Sequence, residues 1–100
     1  MRRAAKVDAN QPRIVDDLRQ CGYSVQPLHT VGQGCPDLLV GAHGICVVLE
    51  VKDGEKPPSA QRLTPDEEKW HVAWKGQKAV VRCFDEAVAV IEEQVRRFRQ

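Results

Sequence analysis

Residues 36–52 read Pro36-Asp37-Leu38-Leu39-Val40-Gly41-Ala42-His43-Gly44-Ile45-Cys46-Val47-Val48-Leu49-Glu50-Val51-Lys52. Two apolar stretches flank Ala42-His43-Gly44, which carries the signal of a tight turn. The first stretch is short and opens on an acid, Asp37. The second, 45–52, is the most apolar run in the chain, is rich in β-branched residues and ends in two charges. Such a run suits a central strand covered on both faces. Side chains alternate along a strand, so Glu50 and Lys52 share one face and Val51 points the other way, towards the core. A staggered hairpin through the turn brings Asp37 near Glu50.

Working outward, Asn10-Gln11-Pro12 announces a helix. Asn is a favoured N-cap and Pro is tolerated in the first turn. Ile14, Val15, Leu18 and Cys21 follow at helical spacing, with Asp16, Asp17, Arg19 and Gln20 on the water side and Gly22 as the stop. Residues 23–28 alternate apolar and polar, as in a half-exposed strand. Gly32-Gln33-Gly34-Cys35-Pro36 breaks the chain before the hairpin, and 53–59 is a Gly/Pro loop. Thr64-Pro65-Asp66-Glu67 carries a capping box and predicts a helix bearing Trp70 and Trp74 that ends before Gly76. A fourth strand is expected at 78–83. A last helix, capped by Asp85, is expected to pack through Val88, Ile91, Val95 and Phe98 and to pair Glu92 with Arg96 and Glu93 with Arg97. The expected order is α-β-β-β-α-β-α. Its first six elements, αβββαβ, make an α/β fold with a mixed central sheet flanked by helices, followed by a C-terminal helix.

One hundred residues allow one domain, spanning 1–100. The 42% hydrophobic share supports a globular core, and a net charge of +1 argues against a polybasic nucleic-acid binder. Charge is segregated, however. The sole acids between residues 21 and 51 are Asp37 and Glu50, and the basic groups lie in flanking segments that can face phosphates. No apolar run matches a membrane span or a secretory signal, so a cytoplasmic location without membrane association is expected. Cys21, Cys35, Cys46 and Cys83 form no C-x-x-C pair, and His29, His43 and His71 add no metal cluster. The cysteines read as reduced, small and mostly buried. The glycines make no phosphate-binding loop, because no G-K-[ST] follows them, and no nucleotide cofactor is expected.

Two carboxylates brought together repel, and one is driven towards protonation unless a cation holds them. An all-oxygen set favours Mg²⁺ or Mn²⁺, with the backbone carbonyl of Val51 as a further ligand to Asp37 and Glu50. Lys52 can orient an attacking water or offset charge on a phosphate. Strand-end charges reaching solvent are the plainer explanation of any lone E-x-K. Here Pro36-Asp37, the turn and the element order agree with the catalytic explanation.

Pro36-Asp37 followed by Glu50-Val51-Lys52 resembles the PD-(D/E)xK nuclease signature. The wider pattern resembles the small stand-alone VRR-NUC domains of phages and bacteria. It is carried by Asp8-Ala9-Asn10-Gln11, residues 34–41, residues 49–54, Leu63-Thr64-Pro65 and residues 71–76, and spans roughly residues 6–84. The resemblance implies a restriction-endonuclease-like core and a metal-dependent deoxyribonuclease. The implied substrates are branched or structured DNA, such as Holliday junctions or flaps, and the implied products carry a 5′-phosphate and a 3′-hydroxyl. It implies Asp37 and Glu50 as metal ligands, Lys52 as catalytic, and a homodimer. Many relatives carry a Glu in the first helix. This chain has none there, and Asp8 and Gln11, then Asp16, are the candidates to substitute. Gln61 is a further auxiliary candidate, or else a solvated loop residue.

Trp70 and Trp74 suit a core or subunit contact, or a stack on bases. His71 beside them reads as structural. Two other classes of function remain open at this stage: a non-catalytic DNA-junction-binding module, and a phage structural or interaction protein.

Overall fold

The computed structural model describes residues 7–99. Arg2, Arg3 and Lys6, three of the flanking cations, lie outside them. The elements are α1 (Gln11–Gln20), β1 (Ser24–Pro27), β2 (Leu38–Ala42), β3 (Ile45–Val51), α2 (Pro65–Ala73), β4 (Lys78–Val81) and α3 (Phe84–Arg99), with a short 3₁₀ turn at Pro58–Gln61. The order is the one read from the sequence. It forms an α/β domain around one four-stranded mixed sheet, in the order β1-β2-β3-β4.

The hairpin supplies the register. His43 (φ 51°) and Gly44 (φ 87°) both take left-handed backbone, the requirement of a two-residue turn whose twist matches the strands it joins. Leu38 then pairs with Leu49 and Ala42 with Ile45. β1 adds antiparallel to β2, and β4 adds parallel to β3 after the crossover through α2. β3 is therefore central and its residues are buried, except Cys46.

One face of the sheet holds the apolar core. Leu38, Val40, Val47, Leu49 and Val51 pack there against Ile14, Val15 and Leu18 of α1 and Ala87, Ile91 and Val95 of α3. The opposite face carries Val48, Glu50 and Lys52, all buried. Val51 points into the core between the two charges, as the alternation of a strand requires.

Several local expectations change in three dimensions. Asp85 does not cap α3. The helix begins at Phe84, Ala87 N–H bonds the Cys83 carbonyl, and Asp85 lies in the first turn, where its charge suits the helix dipole. Phe98 leaves the packing stripe: it lies in the last turn of α3 and is 63% exposed, whereas Ile91 and Val95 are buried. Glu92 accepts a hydrogen bond from Tyr23 Oη and does not pair with Arg96. Glu93 meets both Arg96 and Arg97. The cysteines are free, but Cys21, Cys46 and Cys83 are exposed and Cys35 is half-buried. Cys21 follows the end of α1, Cys46 lies beside the hairpin turn on the sheet face opposite the apolar core, and Cys83 joins β4 to α3. Among the described residues no helix is long and apolar enough to cross a membrane.

The contrast between Ile91 and Phe98 is testable by urea unfolding. Ile91→Ala should cost about 2–5 kcal/mol, as for a fully buried aliphatic side chain. Phe98→Ala should stay within about 0.5 kcal/mol of wild type.

Candidate active site

Extending the β2–β3 register one step beyond Leu38–Leu49 sets Asp37 directly opposite Glu50. No stagger is needed. Directly opposed residues of an antiparallel pair share a face and lie close together. Asp37 is 6% exposed and Glu50 3%. Asp37 is anchored twice: its carbonyl accepts from Leu28 N–H at 2.7 Å, and its Oδ2 accepts from Val51 N–H at 2.7 Å. In an antiparallel ladder the N–H and C=O of one residue point to the same edge. The Val51 carbonyl therefore lies on the Asp37 side, as required of a third oxygen ligand.

Lys52, 8% exposed, follows on the Glu50 face. Its Nζ donates to Glu67 Oε1 at 2.8 Å and lies 4.0 Å from Glu50 Oε2. Glu67 is the functional neighbour that sequence reasoning missed. Its local signature, the capping box, was legible and is fully formed: Thr64 Oγ1 accepts from Glu67 N–H, and Glu67 Oε1 accepts from Thr64 N–H at 2.8 Å. That same Oε1 holds Lys52. The cap that starts α2 is thus also the partner of the candidate catalytic lysine.

Gly34 brings the preceding loop against the same turn of α2. Its φ is +80°, and a Cβ there would sit 2.3 Å from the Asp66 carbonyl oxygen. Only glycine allows that approach. A half-open cavity of about 340 Å³ is lined by Asp8, Cys35, Asp37, Glu50, Lys52 and Glu67 among others. A larger cleft of about 650 Å³, between α1, the 53–55 loop and the start of α3, is lined by Arg13, Arg82, Asp53 and Phe84 among others. None of the buried charges, Asp37, Glu50 or Lys52, lines it, so the candidate site is the smaller cavity.

The electrostatics follow from burial. Desolvation, then the hydrogen bond and charge of Asp37, pushes the Glu50 carboxyl up to about 10. Burial also raises Asp37, against the opposing hydrogen bonds from Glu50 and Val51 N–H. The pair therefore retains a proton on Glu50 that bonds Asp37. With both groups ionised, Glu50 Oε1 is buried without a donor. Burial also opposes the charges of Glu67 and Lys52, but their mutual contact wins, lowering Glu67 and raising Lys52.

The auxiliary candidates separate. Asp8 lines the cavity, and its Oδ1 pairs with Lys56 Nζ at 3.0 Å. Gln11 is buried with Oε1 unpartnered, but it does not line the cavity. Asp16 faces outward from α1. Gln61 braces the loop: its amide donates to the Lys56 carbonyl at 2.6 Å and accepts from Arg82 Nε at 2.7 Å. Asn10 starts α1 without a side-chain cap bond. Its amide instead donates to the carbonyls of Lys52 and Arg82, tying α1 to the end of β3.

A divalent cation fits this donor set. It would replace the shared proton between two opposed hard oxygen donors and would satisfy the orphaned Glu50 oxygen. Among the described residues no three His, Cys, Asp or Glu side chains form a ready metal-binding group, so the third ligand would be the Val51 carbonyl. Compared with protein-family models, curated proteins and solved structures, the chain matches none.

The raised Glu50 carboxyl has a stability consequence. The folded state holds a proton that the unfolded state loses from its ordinary value of 4.5, so metal-free stability is greatest below 4.5 and falls as pH rises towards about 10. Glu50→Gln removes that dependence. In EDTA its Tm should match wild type near pH 4.5 and exceed it by at least roughly 4 °C at pH 9, the shift that about 1 kcal/mol produces in a domain of this size. A Gln variant less stable than wild type at pH 9 would contradict this assignment.

Proposed function

We propose that the chain is a Mg²⁺- or Mn²⁺-dependent deoxyribonuclease of the PD-(D/E)xK type, with a restriction-endonuclease-like core of the VRR-NUC kind. The observation that carries this reading is the opposition of Asp37 and Glu50 across the hairpin, with Lys52 beside them on the same face. Asp37, Glu50 and the Val51 carbonyl would hold the cation. When bound, it would polarise the scissile phosphate and lower the pKa of a bound water.

The chain's own residues do the rest. Val51 N–H fixes the Asp37 carboxylate so that its free oxygen edge stays in the cavity. Glu67 holds the Lys52 ammonium beside Glu50, where it offsets negative charge gathering on the phosphate. The 34–37 loop and the start of α2 form the walls of the cavity around these groups. Branched or flapped DNA is the proposed substrate, and a homodimer would present two such sites to the two strands of a junction. The near-neutral net charge agrees with recognition through DNA shape more than through general attraction to duplex.

A second reading, a junction-binding module without catalysis, draws on the single observation that Glu67, the carboxylate beside Asp37 and Glu50, is engaged by Lys52, so that among the described residues no three side chains form a ready metal-binding group. Labelled junction, flap and duplex substrates separate the two. The nuclease reading predicts cleavage with Mg²⁺ or Mn²⁺, none in EDTA, and losses of at least roughly 100-fold in Asp37→Ala and Lys52→Ala. Variants that cut like wild type would refute the site, and junction binding without cleavage in either metal would favour the second reading.

A further inference from the structure

The α2 helix carries a second feature that the proposed hydrolysis does not use. Glu67 and Trp70 fall at i and i+3 of α2, and Trp74, at i+7, is the residue that caps its C-terminus, its N–H bonded to the Trp70 carbonyl, so the three continue one stripe. The stripe begins in the cavity, where Glu67 holds Lys52, and runs out to the surface, where Trp74 is 43% exposed. Trp70 and Trp74 are stacked, with ring centroids 4.7 Å apart and planes 18° from parallel.

The pair is held in place. Lys78 Nζ donates to the carbonyls of His71 and Trp74 at the end of α2, and Gly76 lies so close to the Trp74 indole that a Cβ would approach Nε1 to 2.8 Å. Trp70 also packs edge-on against the buried His71. Aromatic rings fixed in this way lose little entropy when a further ring stacks on them.

Charge favours a polyanion at this place. From Lys69 to Phe84 the chain carries Lys69, Lys75, Lys78 and Arg82 and no carboxylate. Lys69 and Lys75 are exposed, and among the described residues neither forms an ion pair. At 1.5 Å rise per residue, Trp70 and Trp74 lie about 4.5 and 10 Å along α2 from Glu67. Successive nucleotides of a strand are spaced by about 3.4 Å, so the rings stand within about three nucleotides of a phosphate in the cavity.

We infer that Trp70 and Trp74 form a stacking platform for an unpaired nucleobase near the scissile phosphate, with Lys69 and Lys75 meeting the adjoining backbone. Stacking accepts any base, because every base has a π face, but it demands a base freed from its duplex. The platform therefore selects substrates with a single-stranded arm. The inference rests on the nuclease reading for its substrate, and its test is read by binding so that the two can fail separately.

The probes are an oligothymidylate, a flap with 2-aminopurine at the first unpaired positions, and a continuous duplex. Each is titrated into the full chain in Ca²⁺. Stacking predicts quenching of tryptophan fluorescence by the oligothymidylate and quenching of 2-aminopurine in the flap. Trp74→Ala should lower the ratio of flap to duplex affinity by at least about fivefold, the low end of what one stacked base contributes. Trp74→Phe should restore most of that ratio, and Lys75→Glu should weaken the flap while leaving its 2-aminopurine quenched at saturation. An unchanged ratio in Trp74→Ala with native circular dichroism would overturn the platform. So would a shift from dimer to monomer in sedimentation with equal losses on all three probes, which would make the pair a subunit contact. If Trp74→Ala does not fold, the Trp74→Phe and Lys75→Glu results decide alone. Absence of cleavage with intact flap-selective quenching would reject the hydrolysis and keep the platform.

Discussion

Asp37 and Glu50 face one another across the end of a buried β ladder, and two carboxyl groups so placed cannot both stay ionised without a counter-charge. Much of the surrounding structure answers that constraint. Val51 N–H binds one oxygen of Asp37, Lys52 stands 4.0 Å from Glu50, and a retained proton links the pair when no cation is present. An apolar pair at these positions would pack with less cost. Two acids held there in a chain of 100 residues with a modest core are a cost to folding, which accords with the proposed metal site.

The second dependence is the double use of Glu67. One oxygen accepts from both the Thr64 backbone and Lys52 Nζ. The start of α2 and the orientation of the lysine are therefore one structural event, and Gly34 draws the loop before Asp37 against that same helical turn. The crossover from β3 through α2 to the parallel strand β4 closes the arrangement, because it carries Glu67 back over the face that bears Glu50 and Lys52. Fold and site share their central strand: Val47, Leu49 and Val51 fasten β3 to the core while Glu50 and Lys52 use its other face.

Where the governing signal is local, the sequence was readable. The hairpin turn, the alternation in 45–52, the Thr64 capping box and the helix over 11–20 all rest on neighbours within a few residues, and all are formed. The approach of Asp37 to Glu50 was legible as proximity, but their direct opposition depends on a register that the turn geometry sets. The Glu67–Lys52 contact was not legible, since a capping box advertises only its own helix end and the lysine lies 15 residues away. Burial of single side chains was the weakest inference. Phe98, Cys21 and Cys83 sit on apolar patterns or at element ends whose cover depends on where neighbouring elements stop. Asn10 and Glu92 took long-range partners in place of the local cap and pair suggested for them.

The central claim is that Asp37 and Glu50 hold a proton which a divalent cation displaces. Mn²⁺ titration by calorimetry at pH 8, repeated in buffers of different ionisation enthalpy, measures both binding and proton release. The account predicts one strong site per chain with release of about one proton on binding, and loss of that release in Glu50→Gln. Absence of Mn²⁺ binding, or binding with no proton release that Glu50→Gln leaves unchanged, would contradict it.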